Sequence, residues 1–570
     1  METSAEGIRR TRRFRPRRLI GAVEPGPADR AEPGTRDRLI QRWLLAFVGL
    51  GVLLRIIRYL SDRPLWGDEA MVAVNVLGRG FGGLMEPLTF FQVAPIGFLW
   101  VGRLMVVVLG PSEWSLRLAS AACGVVAVPV FALLARRSVG PVAALLAVAV
   151  LAVSYAPIRH AVEVKPYAFD LLAALVVMLP AIRWLKHPGR PRTLWWLVAA
   201  APVAMACSHP ATFVAGGIGV ALTPIVWRRA GEDADRELRA IWATYLGVVG
   251  LAFLGVYAIS TGDQSDAVSS TYREGYWAAA FPPIDEPWRL PQWLLMTHVG
   301  EAFGYPIGGE KGGSVVSTAL AVVGLIALWR GGERGLVMVL LAPIGMTLLA
   351  AMLGRYPYGG SARTMQHIAP SLCIAIGEGA RRLLDRTAST RERGRRLSIV
   401  LVGLAVIGAG MFSTDLVMPY RTREDQRSRD FARWFWPEVA RGAEVGCSRA
   451  MRGTTFDGTY WRLGRLELYL SNRAIALPGG RDPARPGLDR VSEDRPLRIV
   501  IYNDDPRFDL GLAAWLDAMS LCFRLRDVRS YTVNGGIVDD GMGREERYLV
   551  FEYVPIAGQQ RSPLARGSGG

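Results

Sequence analysis

Cysteine is scarce, with five residues in a chain of 570. Cys123, Cys207 and Cys373 fall inside apolar runs and read as small packing residues. Cys447 and Cys522 lie in the C-terminal segment and can pair only if that segment meets an oxidising compartment. No His/Cys/carboxylate spacing resembles a metal site, so no metal is expected. The N-terminal segment is also expected to remain attached instead of being cleaved as a leader. The segment from Ile8 to Arg18 is Arg-rich, then Pro/Gly-rich to about Thr35, with no apolar core or cleavage site. Residues 1–38 therefore read as a basic, disordered cytoplasmic tail, with attraction to lipid headgroups as a secondary consequence. No internal repeat is evident and mid-span charges are few, which weighs against a transporter or flippase built from two related halves.

Long apolar runs, by contrast, are abundant. The chain is 51% hydrophobic with a mean hydropathy of +0.22, and runs of ~20 apolar residues recur, as in a polytopic membrane protein. A formal net charge of +17 raises the question of nucleic acid. Its Arg and Lys residues cluster in short loops between apolar runs, which the positive-inside rule explains without a nucleic-acid partner.

Following the basic loops gives about eleven spans. Span one is 39–60, and the first outer loop then holds Asp68 and Glu69. Pro95 to Gly110 is apolar but short and carries Arg103. Lying it in the outer interface keeps Arg136 and Arg137 inside. Spans two to six follow as Trp114–Leu134, Val142–Pro157, Tyr167–Leu185, 194–208 and 211–227, the last two turning at His209-Pro210. Span seven (240–260) leads to a long outer loop, 261–312, whose Tyr276, Trp277, Trp288 and Trp293 read as an interfacial aromatic belt. Spans eight (313–329), nine (335–353), ten (364–384) and eleven (397–413) complete a membrane domain over 39–413.

From about Asp415 the composition becomes that of a soluble domain, 414–555, with a short tail over 556–570. Runs over Glu444 to Cys447, Ala474 to Leu477, Leu497 to Tyr502 and Tyr548 to Tyr553 read as strands. Arg427 to Ala440 and Leu510 to Leu521 read as helices, so a small extracytoplasmic α/β domain is expected. Asn503 to Pro506 reads as a strand-to-helix turn.

The topology collects a distinctive set on the outer face: Asp68, Glu69, Gln92, Arg159, His160, Glu163, Lys165, His209, Arg355, Tyr358, Arg363 and His367. Adjacent acids beside lipid are expensive, about 2.5–3.5 kcal/mol for one charge at the bilayer centre, and so point to function. Acids with cations and aromatics at the lipid boundary suit group transfer from a polyprenyl phosphate. A carboxylate takes the acceptor's proton while cations hold a phosphate that already leaves as an anion. Asp68-Glu69 also suits the cap of a helix starting near Ala70. Arg159 and Glu163, four apart, suit an ion pair, as do Glu113 and Arg117. Positions 160, 163 and 167 share a helical face unless Pro166 breaks it.

The ordered motifs over residues 40–385 resemble the GT-C membrane glycosyltransferases of the protein O-mannosyltransferase and aminoarabinose-transferase-like (family 39-like) group. They are Trp66-Gly67-Asp68-Glu69-Ala70, the Gln92 to Leu99 segment, Ser112 to Leu118, Val162 to Tyr167, and Gly359 to Arg363. The resemblance implies a mainly α GT-C fold with interfacial helices in the first outer loop. It implies an inverting transfer in which Asp68 is the general base, with Glu69 its neighbour and Glu163 a second acid facing the donor. Arg159, Lys165, Arg363 and His367 are candidates for donor-phosphate contact. Gln92, His160, Tyr167, His209 and Tyr358 are candidates to line the substrate site. Several relatives have two consecutive prolines after a basic residue where this chain has Gln92-Val93-Ala94-Pro95.

The expected partners are the bilayer, a polyprenyl-phosphate-linked sugar, and a glycan, lipid or protein acceptor. No cofactor is expected, although Asp68-Glu69 could hold a divalent ion. The expected location is the inner (plasma) membrane, N-terminus cytoplasmic and C-terminal domain outside. A non-catalytic envelope assembly protein is a competing reading that leaves Asp68-Glu69 unexplained.

Overall fold

The computed structural model describes residues 33–89, 92–228, 233–260, 277–307, 313–386, 389–417, 422–436, 442–447, 490–502, 517, 519–532 and 547–556. Tyr276, the strand expected over Ala474 to Leu477, Asn503 to Pro506, most of the helix expected over Leu510 to Leu521 and both outermost tails lie outside these residues.

All eleven apolar runs fold as helices. The first is α1 (Pro33–Leu60), which starts inside the segment read as a tail. Two helices of the first outer loop follow, α2 (Gly67–Gly78) and α3 (Ile96–Leu109). The chain continues through α4 (Glu113–Ser138), α5 (Pro141–Val153), a short α6 (Tyr155–Arg159), α7 (Tyr167–Lys186), α8 (Trp195–Cys207), α9 (Ala211–Trp227) and α10 (Asp233–Ser260). A loop helix α11 (Leu290–Thr297) precedes α12 (Gly313–Arg330), α13 (Arg334–Met352), α14 (Ala369–Leu384), α15 (Thr390–Val417) and α16 (Thr422–Trp434).

Among the described residues seven helices are long and apolar enough to cross a membrane, or eight if α5 and the segment through Val162, bent by 56°, form one broken span. The remaining three of the eleven, α8, α9 and α14, have 13, 17 and 16 residues, short of the ~20 a full crossing needs. The spans read from the sequence include the turns beside these helices, such as Gln366–Ile368 before α14.

Every residue of α5 from Ala143 to Val153 is buried, as expected of a helix that is hydrophobic on all faces at the bundle centre. The apolar window of α7 is 67% buried against 17% for α15, so α15 turns most of its surface outward. Close helix contacts rest on small residues. A Cβ on Gly377 of α14 would strike Ala143 and Ala147 of α5, and Gly324 of α12 and Gly379 of α14 leave each other no room for one. The helix directions bring Asp68, Glu163, Lys165 and Arg363 to one end of the bundle. Arg136, Arg137, Lys186, Arg381 and Arg382 collect at the other.

Beyond α15 the described residues form one four-stranded sheet of β1 (Glu444–Cys447), β2 (Leu497–Tyr502), β3 (Phe523–Thr532) and β4 (Arg547–Pro555). The order is β1-β2-β4-β3, with β1 parallel to β2 and the other pairs antiparallel. Two strands therefore separate β1, which carries Cys447, from Cys522 at the start of β3. Three of the four expected strands are present. β3, with Arg524, Arg526, Asp527 and Arg529, escapes an apolar-run search because its charges are exposed at a sheet edge. Phe431, Phe435 and Trp436 belong to one apolar cluster with Leu65, Val76, Phe98 and Val550, which ties the chain after α15 to the first outer loop.

Candidate active site

Trp66 caps α2, whose first turn contains both Asp68 and Glu69. The two acids then part. Both Glu69 oxygens are occupied: Arg117 donates from Nε at 2.8 Å and from Nη2 at 2.5 Å, and the Val164 N–H donates at 2.8 Å. The Trp66 N–H adds a bond at 3.2 Å, which closes the helix cap. Asp68 points elsewhere. Its Oδ2 accepts from Arg363 Nη1 at 3.0 Å, and Lys165 Nζ lies 3.8 Å from Oδ1. The neighbours thus have different surroundings, Glu69 closing the cap and Asp68 meeting the buried Arg363 and Lys165 side chains.

Lys165 is one of three lysines in the chain. Its ammonium donates to Gln92 Oε1 at 2.7 Å and is otherwise aimed at Asp68. Burial lowers its proton affinity, and the Asp68 carboxylate opposes that shift. Three residues earlier the backbone breaks: a short 3₁₀ turn over His160–Val162 gives way to extended Glu163 before α7 begins at Tyr167. Despite the break, His160 reaches both expected neighbours. Its Nδ1 sits 2.9 Å from Glu163 Oε2 and its ring meets Tyr167 edge-on at 5.3 Å. Arg159 Nε is 3.7 Å from Glu163, so the expected ion pair is present. Burial alone would raise the Glu163 carboxyl, but His160, Arg159 and Arg58 outweigh it and hold the group down at about 2. Glu163 is therefore an anion and an acceptor at neutral pH.

Arg363 arrives on a turn whose Gly359 has φ of +74°, a backbone that favours glycine, while Gly360 packs against Ala280 and the Trp277 ring. The guanidinium carbon lies 5.1 Å from the Trp277 ring centre and 5.7 Å from Trp66, a cation–π sandwich. Trp277 thus adjoins the site. Trp293 packs on Tyr358 at 6.0 Å and donates to the Ala279 carbonyl. Trp288 is 72% exposed.

Two candidates have partners of their own. His367 Nε2 bonds Thr347 at 2.7 Å and its ring lies against Phe213 and Tyr356. Tyr358 bonds His298 at 2.9 Å. His209 Nε2 is buried with no hydrogen-bond partner among the described residues, next to Ser208, whose hydroxyl donates to buried Asp170 at 2.6 Å.

The expected Glu113–Arg117 pair does not form. Arg117 is drawn to Glu69, and Glu113 takes Arg429 of α16 at 2.9 Å. Each of the two finds its buried partner on a distant element instead of one turn away on its own helix. Sequence reading also missed Arg58, Arg63 and Asp415. Asp415, near the end of α15, pairs with Arg58 and Arg63 and accepts from the Tyr155 hydroxyl at 3.0 Å. Arg58, Arg63, Arg117 and Arg159 line a cavity of about 40 Å³ with Glu69, Glu163 and Asp415. The available signal was an arginine in the last turn of an apolar run.

Across both clusters the cations Arg58, Arg63, Arg117, Arg159, Lys165 and Arg363 face the carboxylates Asp68, Glu69, Glu163 and Asp415. Six positive groups against four negative ones leave an excess of two positive charges, suited to an anionic ligand.

Comparison with known proteins bears on the fold that carries this geometry. Residues 93–259 match the family model described as dolichyl-phosphate-mannose-protein mannosyltransferase. ArnT from Cupriavidus metallidurans, solved bound to undecaprenyl phosphate, superposes with a TM-score of 0.51 at 16% identity, covering 90% of this chain and 98% of that one. Its apo structure matches equally. The archaeal oligosaccharyltransferase AglB from Archaeoglobus fulgidus, in complex with an inhibitory peptide and a dolichol-phosphate, gives 0.46 at 11% identity, covering 93% and 77%. No curated protein matches the chain by sequence. Over residues 93–259 the chain is thus similar in sequence to the dolichyl-phosphate-mannose-protein mannosyltransferase family, and in fold it is similar to ArnT.

Proposed function

We propose that this multi-pass membrane protein is an inverting glycosyltransferase that moves one sugar from a polyprenyl-phosphate donor to a hydroxyl acceptor on the extracytoplasmic face. The observation that carries this reading is the buried contact of Asp68 with Arg363 at 3.0 Å and Lys165 at 3.8 Å. Removing one partner of such a buried pair leaves an uncompensated charge, at about 3–5 kcal/mol, so the cations leave Asp68 only for another anion. A donor phosphate is such an anion. When Lys165 and Arg363 move to it, Asp68 is left beside the acceptor with free lone pairs.

Asp68 then accepts the acceptor's O–H proton, the oxygen bonds to the sugar's anomeric carbon, and the carbon–oxygen bond to phosphate breaks. The electron pair stays on the departing polyprenyl phosphate, which becomes more negative by one charge. The surplus of positive charge binds that product state more strongly than the reactant, as differential stabilisation requires. Glu69 holds Arg117 and the Val164 backbone and acts as a positioning residue, while Glu163 orients His160. The relative ArnT was solved with undecaprenyl phosphate, which supports a donor of this class.

The test compares wild type with Asp68→Asn in nanodiscs, each incubated with a panel of polyprenyl-phosphate sugars and a membrane extract while free polyprenyl phosphate is followed. Release by wild type, with a loss of at least 10³-fold in the folded variant, is expected from removal of a base and its charge. Equal release by both proteins discards Asp68 as the base.

A further inference from the structure

At the end of the bundle opposite Asp68 lies a cavity of about 820 Å³, within the size range of small-molecule sites. It is built from four separate stretches: the α4–α5 turn, the end of α7, the α12–α13 turn and the end of α14. Its three carboxylates are already engaged. Glu333 holds Lys186 at 2.8 Å, Glu378 holds Arg381 at 2.5 Å and Arg382 at 3.1 Å, and Asp385 pairs with Arg381. Arg136, Arg137 and Arg183 line the same space, and their side chains make no polar contact among the described residues. The cavity thus carries three cationic groups in excess.

Cations in the last turn of α4, α7 and α14 complement the helix dipoles, and this alone explains their presence at helix ends. It does not explain their convergence with the start of α5. Gly140, Pro141 and Val142 line the cavity, and the first turn of α5 has no side-chain cap, so the positive end of that helix adds to the same field. Val139, Val142, Ala327 and Leu328 supply an apolar wall. Beside it Trp329, 48% exposed with Arg334 over its ring at 5.5 Å, marks the headgroup level of a bilayer.

We infer that this cavity binds a phosphate-bearing anion and that its natural occupant is the headgroup of an anionic phospholipid, with the acyl chains lying along the apolar wall. The site is independent of the transfer chemistry at Asp68, and its ligand is retained instead of consumed.

The full-length chain, purified in a non-ionic detergent, is examined by native mass spectrometry after addition of phosphatidylglycerol or phosphatidylcholine. The variants are Arg136→Gln/Arg137→Gln/Arg183→Gln, the same three positions changed to Lys, and Arg391→Gln/Arg395→Gln as a surface-charge control. Retention of phosphatidylglycerol over phosphatidylcholine is expected in wild type, the Lys variant and the control, with a loss of about tenfold or more in the triple Gln variant. Equal retention of the two lipids by wild type, or equal phosphatidylglycerol retention by the triple Gln variant, overturns the site. A parallel arm adds inorganic pyrophosphate without lipid. Thermal protection that needs the three arginines, without any lipid preference, keeps the anion site and overturns the phospholipid as its source. If the triple Gln variant fails to fold, the Lys variant and wild type still decide on lipid selectivity.

Discussion

Asp68 and Glu69 are neighbours in sequence with different surroundings, and that difference is the main residue-scale result. Nothing in Trp-Gly-Asp-Glu-Ala says which acid caps the helix and which meets Lys165 and Arg363. The division depends on Arg117, 48 positions away, claiming Glu69. Glu163 illustrates the same dependence. Held at about 2 by its cations, it keeps its charge down through the acidic range. A depressed carboxylate contributes stability above its unfolded pKa near ~4.3 and loses it only as pH falls through about 2. The acid limb of a pH–rate profile therefore does not report Glu163. Glu163→Gln is expected to lower kcat while leaving the acid-limb midpoint in place, as measured by donor consumption from pH 4.5 to 8. A shifted midpoint would reassign that limb to Glu163.

At the scale of elements, periodicity and hydropathy made the eleven helices legible, because apolar length is written directly in composition. The partners were not. Gly379 shows why, since its need for no side chain appears only when α12 and α14 are placed together. Gly379→Ala is expected to overpack that contact and cost about 1–3 kcal/mol, read as a lowered Tm in detergent. The edge strand β3 and the link from α16 to the first outer loop were hidden for a similar reason, as both depend on long-range contacts. Arg429→Ala leaves Glu113 buried without its cation and is expected to destabilise by about 3–5 kcal/mol. The double change Arg429→Ala/Glu113→Gln should recover part of that loss, which a loss of packing alone would not.

For the whole molecule, the basic loops predict an orientation, and the fold places Asp68 and Arg381 at opposite ends of the bundle. Substituted-cysteine labelling in a cysteine-depleted background tests the orientation. A cysteine at Arg395 should react with a membrane-impermeant maleimide only after cells are opened, and one at Asp62 should react in intact cells. The opposite pattern would reverse the proposed topology. The candidate site was readable as a set of residue types on one face, since charges at the end of apolar runs stand out. The bonds of His367 to Thr347 and of Tyr358 to His298 were not readable, because a face is two-dimensional and the bundle is not.

Lysine scarcity has a practical consequence. A chain with three lysines presents few primary amines, and Lys165 is the one beside Asp68, with a proton affinity lowered by burial. Near neutral pH it carries a larger share of unprotonated, nucleophilic nitrogen than an exposed lysine. A small acylating probe therefore becomes an occupancy gauge. Modification at Lys165 should slow when donor phosphate covers the amine, so the carrier's arrival can be followed before any sugar or acceptor has been identified.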